Sequence, residues 1–328
     1  MFGGKKILIT GGTGSLGQAL TKKLLQNDVD TIRIYSRDEL KQSQMKSELD
    51  DNRLRFLIGD VRDKERLSRA LEDINIVFHA AALKQVPVAE YNPFEAVKTN
   101  VYGTQNIIEC CLDKGVEIAL AVGTDKAVAP FNTYGATKLL MERLFVSANY
   151  FKGKHKINFI CVRYGNVLGS RGSIVPTLVN QIRMGKKLTI TNPDMTRFNI
   201  TMDQALELIM RAQKGIGGEV FIPKLKAYRV EDMKDAIVEL MDSKIEVEQI
   251  PIRPGEKFHE VLISKHEVRN TYDSSDDYIL FDKQTQYHDI QEVKKLKKAD
   301  LQDSYSSDKV NLLSKNELKD ILVKQNLI

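Results

Sequence analysis

Short apolar runs alternate with helical periodicities along most of the chain. Lys6 to Thr10 (Lys-Ile-Leu-Ile-Thr) predicts a buried strand, after which Leu16, Leu20, Leu24 and Leu25 recur at helical spacing. Further apolar runs predict strands at Thr31–Tyr35, Leu54–Ile58, Ile76–Phe78, Glu117–Val122 and Ile157–Val162. One helical pattern runs from about Pro93 to Lys114 and another from Thr137 through Val146. Such alternation predicts an α/β protein with a parallel sheet. Shorter strands at Leu188–Thr191 and around Glu248–Ile252, with an amphipathic tail at Ser314–Ile321 opened by a capping box, predict a smaller C-terminal lobe. The expected division is residues 1–165, with about 198–222 returning to that domain, against 166–197 and 223–328 in the lobe.

The first strand leads into Gly11-Gly12-Thr13-Gly14-Ser15-Leu16-Gly17, a glycine turn that opens a helix. In this context Gly11, Gly14 and Gly17 let backbone approach a pyrophosphate, and the helix N-terminus offers free N–H groups to its charge. The expected fold is therefore a Rossmann-type doubly wound parallel sheet. The second strand ends in Ser36-Arg37-Asp38 instead of the acidic residue that grips a ribose 2′-hydroxyl. Ser36 and Arg37 suit a 2′-phosphate, which favours NADP over NAD. The alternative is an Arg37 that caps a solvated loop. Asp60, in Gly59-Asp60-Val61-Arg62-Asp63, is placed to accept from an adenine amine or to cap the helix from Lys64. After the fourth strand, His79-Ala80-Ala81-Ala82-Leu83-Lys84 offers small side chains against which a nicotinamide ribose can lie. Lys84 is either a cofactor or substrate contact or a solvated lysine. His79 reads as a packed strand-end histidine, and Asn100 as part of a polar network near the reacting groups.

The densest chemistry runs from Gly123 to Lys138, at a strand-to-helix crossover. Tyr134 and Lys138 are four apart and share a helix face. An ammonium near a phenol favours phenolate, which predicts a Tyr134 that acts as a base below the usual value of about 10. Thr124, Asp125 and Lys126 add a hydroxyl, an acid and a second amine at the strand's end, enough for acid–base chemistry on a polyol. Tyr-x-x-x-Lys alone arises by chance on exposed helices; the glycine turn upstream and the Thr-Asp-Lys before it set this copy apart. The loop from Arg163 to Ser173, with Arg163, Arg171 and Asn166, is rich enough in donors to hold an anion or sugar. Arg197 and Arg253 each read as turn arginines taken singly. Together they predict a second lobe that supplies arginines to a diphosphate.

Composition narrows the rest. A chain of 328 residues can bury a full core, and no apolar run reaches the about 18 residues of a membrane span. The N-terminus moves directly into a strand, so a soluble, cytoplasmic protein is expected. Cys110, Cys111 and Cys161 lack C-x-x-C spacing and read as buried free thiols, with no metal expected. A net charge of +5 suits an anionic substrate, but no basic stripe with stacking aromatics points to nucleic acid. Lys294, Lys295, Lys297 and Lys298 read as a solvated helix face.

The glycine turn, the Tyr-x-x-x-Lys pair and the Arg-Tyr-Gly-Asn-Val loop (163 to 167) resemble an extended short-chain dehydrogenase/reductase. More narrowly, Tyr-Ser-Arg-Asp-Glu-Leu-Lys-Gln-Ser (35 to 43), Ile-Gly-Asp-Val-Arg-Asp (58 to 63), His-Ala-Ala-Ala-Leu-Lys (79 to 84), Thr-Asp-Lys-Ala (124 to 127), Met-Thr-Arg-Phe (195 to 198) and Arg-Pro-Gly-Glu-Lys (253 to 257) resemble the inverting UDP-N-acetylglucosamine 4,6-dehydratases that open pseudaminic acid synthesis. The resemblance covers residues 4 to about 265. It departs at Gly123, where the family usually has serine, and after residue 268, where only Tyr-Ser-Ser (305 to 307) remains. Related capsule-synthesis enzymes often carry methionine at the tyrosine position, so Tyr134 favours the pseudaminic branch.

The resemblance implies that NADP and UDP-N-acetylglucosamine meet in this protein. Tyr134 would take the C4 hydroxyl proton with Lys138 beside it, Thr124 would orient that hydroxyl, Lys126 would be the base at C5 and Asp125 the acid at the C6 hydroxyl. It places Ser15, Leu16, Ser36, Arg37, Asp60, Val61, Ala80 and Val167 with Gly11, Gly14 and Gly17 around the cofactor. Lys84, Asn166, Thr191, Arg253 and Glu256 fall around the UDP-sugar, with Lys84 also at the cofactor. A homo-oligomer is implied. The rival enzyme is a UDP-N-acetylhexosamine 4-epimerase, which needs no acid and base at C6 and C5; a non-catalytic NADP-binding regulator would have no need of Tyr134 and Lys138.

Overall fold

Strands buried on both faces carry near-continuous apolar runs, and here Ile7–Ile9, Ile76–His79 and Phe159–Val162 are all buried. The computed structural model describes residues 2–281, 293 and 295–328. In it, β1 (Lys6–Thr10), β2 (Thr31–Ser36), β3 (Leu54–Ile58), β4 (Ile76–His79), β5 (Ile118–Val122) and β6 (Asn158–Val162) pair in parallel in the order β3-β2-β1-β4-β5-β6. The order reverses between β1 and β4, and such a switch point opens a crevice at the strands' carboxyl ends. Flanking helices fill the crossovers: α1 (Ser15–Leu25), α2 (Glu39–Leu49), α3 (Lys64–Ala70), α4 (Val86–Tyr91), α5 (Pro93–Val97), α6 (Gly103–Asp113) and α7 (Thr133–Phe151). The helix expected over Pro93–Lys114 is broken by a π-turn at Lys98–Tyr102. That wider turn carries Asn100, whose side chain accepts from Leu83 N–H at 2.8 Å and donates to Leu83 C=O and Thr137 Oγ1, each at 3.0 Å.

The smaller unit is built from α8 (Ile174–Arg183), β7 (Leu188–Ile190) and β8 (Thr196–Phe198). After α9 (Met202–Ala212) and β9 (Glu219–Pro223) return to the main sheet, β10 (Ala227–Arg229), α10 (Val230–Leu240), β11 (Val247–Gln249) and β12 (Val261–Ile263) extend it. Its separate core holds Leu178, Leu188, Met233 and Ile237. The chain then departs from the expected division. Within 223–328, β13 (Thr271–Ser274) and β14 (Asp277–Phe281) add antiparallel to the free edge of β9, so they extend the central sheet and not the lobe. The physical reason is that β9 offers an unpaired edge and Ile279, Leu280 and Phe281 bury against the main core.

The lysine cluster also differs from expectation. Lys297–Lys298 form an edge strand, β15, paired with β13, and Lys298 Nζ lies 3.8 Å from the centre of the Tyr272 ring; Lys294 falls outside the described residues. Tyr305–Ser306, β16, pairs with β12. The last helix, α11 (Lys315–Lys324), starts at Ser314 with the expected capping box, Glu317 reaching back, and buries Leu318 and Leu322 in the lobe core. Cys110, Cys111 and Cys161 are buried and free. No helix among the described residues is long and apolar enough to cross a membrane.

Candidate active site

A cavity of about 1010 Å³ opens at the carboxyl ends of β1, β4, β5 and β6. Gly11, Gly14, Ser15, Leu16 and Gly17 form one wall. Gly11 has φ +67°, and a Cβ there would stand 2.8 Å from the Ala81 nitrogen, so the turn lies too close to the end of β4 for any side chain. No side chain caps α1, which leaves its N-terminus for an anion. Ser36, Arg37, Asp60 and Val61 line the far end, Ala80 the floor and Val167 the opposite side. This donor set fits a dinucleotide. Asp60 is not the cap of α3: Asp63 takes that place, accepting from Arg66 N–H at 2.9 Å. The Asp60 carboxylate accepts from the Arg62 side chain at 2.6 and 2.9 Å and stands 3.7 Å from Arg37.

The residues expected to react meet where β5 ends. Asn132 caps α7 by accepting from Gly135 N–H at 2.7 Å, which puts Tyr134 and Lys138 in the helix's first turns. Thr124, Lys126, Tyr134 and Lys138 line the cavity. Asp125 stands one layer behind, almost fully buried; its Oδ1 accepts from Thr124 Oγ1 at 2.9 Å and Lys126 Nζ at 3.1 Å, while Oδ2 has no partner. Lys126 Nζ also donates to Asn166 Oδ1 at 3.1 Å and pairs with Glu260 Oε1 at 3.3 Å. Glu260 is buried, lines the same cavity and has an unpartnered Oε2.

Two expectations about protonation change. Burial pushes the Tyr134 phenol up to about 12, against the pull of Lys126 and a hydrogen bond with Thr124. The expected lowering by Lys138 is not seen because Lys138 Nζ turns to the Val122 carbonyl at 2.7 Å, and burial brings it down to about 8. For Lys126, burial alone would lower the ammonium, but Asp125 and Glu260 outweigh it and hold it well above the usual lysine range. Asp125 is pushed up by burial and by Glu260, so it favours the protonated acid. Burial opposes charge on Glu260 too, yet Lys126, Arg197 and Lys257 hold it as a carboxylate. His79 is packed as expected: burial lowers it to about 3, with Thr10 Oγ1 at 2.8 Å and Thr104 Oγ1 at 3.2 Å on its two nitrogens.

Of the residues expected around a UDP-sugar, Lys84, Asn166, Arg253 and Glu256 line the cavity. Thr191 does not; it sits behind Glu256, Oγ1 to Oε1 3.4 Å. Arg163, expected among the ligand donors, is fully buried between Glu142 and Glu267 and holds the scaffold instead. Arg171 remains at the site, its guanidinium donating to the Thr13 carbonyl at 2.9 Å and its own carbonyl accepting from Lys84 Nζ at 3.1 Å. Arg197 reaches Glu256 at 3.3 Å and the Phe258 carbonyl at 3.0 Å. The loop from Arg253 to Lys257 docks on the reacting segment, Asn132 donating to the Gly255 carbonyl at 2.8 Å and Lys257 to Val128 at 2.6 Å.

Residues 7–282 match the family model described as polysaccharide biosynthesis protein. The chain belongs to that family. It is 48% identical over 283 residues to a UDP-N-acetylglucosamine 4,6-dehydratase (inverting) from Campylobacter jejuni, covering 85% of this chain and 84% of that protein. It is 40% identical over 329 residues to a UDP-glucose 4-epimerase from Rickettsia rickettsii, covering 98% and 96%. Among solved structures, Pen from Bacillus thuringiensis superposes with a TM-score of 0.94 at 38% identity over 100% of this chain and 99% of that one.

Two features of this polysaccharide-biosynthesis family member escaped sequence reasoning. Glu260 carried only a faint signal, a carboxylate just before the apolar run Val261-Leu262-Ile263; its link to Lys126 joins residues far apart in the chain and has no local pattern. Gly123, read as a departure, has a packing reason here. A Cβ at that position would meet the Val162 carbonyl at 2.6 Å, the same carbonyl that accepts from Gly123 N–H.

Proposed function

We propose that this protein is an NADP-dependent, inverting UDP-N-acetylglucosamine 4,6-dehydratase of the cytoplasm, working as a homo-oligomer in pseudaminic acid or related surface-glycan synthesis. The observation that carries the reading is an amine, Lys126, lining one cavity with Thr124 and Tyr134, and a buried acid, Asp125, directly behind it and bonded to both Thr124 and Lys126. Exchange at C4 alone needs only the hydroxyl and the phenol; loss of water across C5 and C6 needs a second acid–base pair.

Gly11, Gly14, Ser15, Leu16 and Gly17 would hold the cofactor's pyrophosphate, Ser36 and Arg37 its 2′-phosphate, with Asp60, Val61, Ala80 and Val167 around its bases and sugars. Hydride acceptance from C4 and its return to C6 are the chemistry a bound nicotinamide supplies. Tyr134 takes the C4 hydroxyl proton as phenolate, the form that Lys126 and the positive charge of a bound nicotinamide would favour against its burial, while Thr124 orients that hydroxyl, and the resulting ketone acidifies the proton on C5. Lys138 donates to the Val122 carbonyl at the end of β5 and lines the cavity one helical turn from Tyr134, where it would bind the cofactor's ribose side. Lys126 removes the C5 proton. Asp125 supplies the proton that leaves with the C6 oxygen, and since it touches the cavity wall only through Thr124 and Lys126, that proton passes through one of them. Protonation of C5 on the opposite face gives UDP-2-acetamido-2,6-dideoxy-β-L-arabino-hex-4-ulose. Lys84 and Arg253 lie where a diphosphate would be neutralised, with Asn166 and Glu256 on the sugar and Thr191 steadying Glu256 from behind.

The test is a proton NMR time course with UDP-N-acetylglucosamine in heavy water. A new C6 methyl signal with deuterium at C5 is the expected result. The similarity to a Rickettsia 4-epimerase favours a second reading, UDP-N-acetylhexosamine 4-epimerase. Appearance of the galacto isomer with no methyl would establish it and overturn the first.

A further inference from the structure

Lys126 presents a problem for any reaction in which it acts as a base. Its Nζ is surrounded by three acceptors, Asp125 Oδ1 at 3.1 Å, Asn166 Oδ1 at 3.1 Å and Glu260 Oε1 at 3.3 Å. An ammonium has three protons, and three acceptors use all of them, so no lone pair remains for a carbon-bound proton. One proton must first leave. Asn166 offers an amide oxygen, which does not hold a proton near neutrality. Asp125 already favours its protonated form. Glu260 is the remaining acceptor: a buried carboxylate that lines the cavity and has a second oxygen, Oε2, without any partner.

We infer that Glu260 is the proton store that frees Lys126 to act, a positioning residue working through Lys126. The inference rests on the dehydratase reading. The steps balance within the cluster. The Nζ–H bond facing Glu260 breaks and an O–H bond forms on Oε1, leaving Lys126 a neutral amine and Glu260 a carboxylic acid. The amine takes the C5 proton, and the C5–H electron pair passes into the enolate of the C4 ketone. That pair then forms the C5–C6 double bond as the C6–O bond breaks, the oxygen leaving as water with the Asp125 proton. Asp125 is now a carboxylate and Lys126 an ammonium. The proton on Glu260 returns through Lys126 to Asp125, and the cluster ends as it began without drawing on solvent.

The surroundings are arranged for such exchange. Arg197 from β8 and Lys257 from the loop before β12 face Glu260 beside Lys126, Asp125 faces it from the end of β5, and Tyr134 from α7, Tyr228 from β10 and Lys84 after β4 are further charged or titratable groups around the pair. Glu260 is also fixed from behind: its N–H donates to Ser307 Oγ at 2.9 Å, and Ser307 Oγ meets Thr196 Oγ1 at 2.7 Å. The backbone that carries the carboxylate is thereby anchored beside Lys126.

The experiment compares Glu260→Gln with wild type for methyl formation by NMR, for the absorbance of the reduced nicotinamide on mixing with UDP-N-acetylglucosamine, and for kcat and KM across pH. Expected for the variant are an unchanged first oxidation, KM within about twofold, methyl formation slower by about 100-fold, and a basic shift of the pH profile, because Lys126 must now lose its proton to solvent. Glu260→Asp should recover part of the rate and keep the wild-type profile. If Glu260→Gln melts below assay temperature, the Glu260→Asp profile alone decides: an unchanged limb with a lowered rate supports the store, and a wild-type rate overturns it. A Glu260→Gln profile that matches wild type, or a loss confined to the first oxidation, also overturns it. Absence of any methyl with wild type would instead overturn the dehydratase reading and this inference with it.

Discussion

Two buried clusters, each of one cation and two acidic side chains, lie close together in this protein, and they are finished differently. In the first, Arg163 donates from Nε to Glu142 at 3.0 Å, from Nη1 to the Leu262 carbonyl at 2.8 Å, and from Nη2 to Glu267 at 2.8 Å. Every nitrogen of that guanidinium has an acceptor, and it faces no cavity. In the second, Lys126 binds Asp125 and Glu260, but Asp125 Oδ2 and Glu260 Oε2 are left without partners at the edge of the large cavity. A buried polar atom without a partner costs about 1–3 kcal/mol. A completed network serves stability, and one left incomplete beside a cavity holds its charges ready for a reacting molecule.

The comparison breaks most visibly at Arg163. Arg163→Leu leaves two buried carboxylates unpaired and should cost about 3–5 kcal/mol of folding stability in urea titration, enough to unfold much of a typical domain. Should the variant lose activity while keeping wild-type stability, the scaffold assignment fails. Lys126→Ala should do the reverse. Its urea midpoint falls less than that of Arg163→Leu, because Asp125 favours its neutral acid and Arg197 and Lys257 still face Glu260, while methyl formation falls about a thousandfold, equivalent to about 4 kcal/mol at the transition state; full dehydration by this variant would refute its role as the base.

Acidity separates the clusters next. Burial alone would raise Glu267, but Arg163 and Ser264 hold it at about 2, against about 4.3 in an unfolded chain. As pH falls between those values the unfolded chain binds the extra proton. This stabilisation is therefore complete above about pH 4.3 and lost as pH drops through 2. Urea midpoints measured from pH 5 to 2.5 should slope downward in wild type and flatten in Glu267→Gln; equal slopes would remove Glu267 from the account. The smallest effect belongs to Ser307→Ala, which removes the acceptor of Glu260 N–H. It should cost about 1 kcal/mol and slow turnover a few-fold, read by melting and steady-state rates.

Much of this was legible in the residues because it is local. The glycine turn after Thr10, the parallel strands, the Asn132-capped helix carrying Tyr134 and Lys138, and the Ser314 capping box are each contained within a few residues. What escaped was set by partners distant in sequence. Arg163 sits in a loop that reads as a ligand grip, and only the fold brings Glu142 and Glu267 to it. Lys126 was expected as a base, and only the fold brings it Glu260, which with Asp125 holds it as an ammonium. Likewise β13 and β14 join the central sheet because β9 offers an edge, a fact invisible in their own apolar pattern.

The contact between Glu260 and Ser307 has a consequence for how the protein is made. A chain emerges from the ribosome N-terminus first, and early segments can fold before late ones exist. The glycine wall and the Tyr134 helix are complete while Ser307, the serine behind Glu260, has yet to be synthesised. A nascent chain can thus acquire its nucleotide pocket early, yet the proton machinery cannot be braced until the final stretch pairs with β12. On this reading the nucleotide pocket and the bracing of Glu260 are completed at different moments of translation.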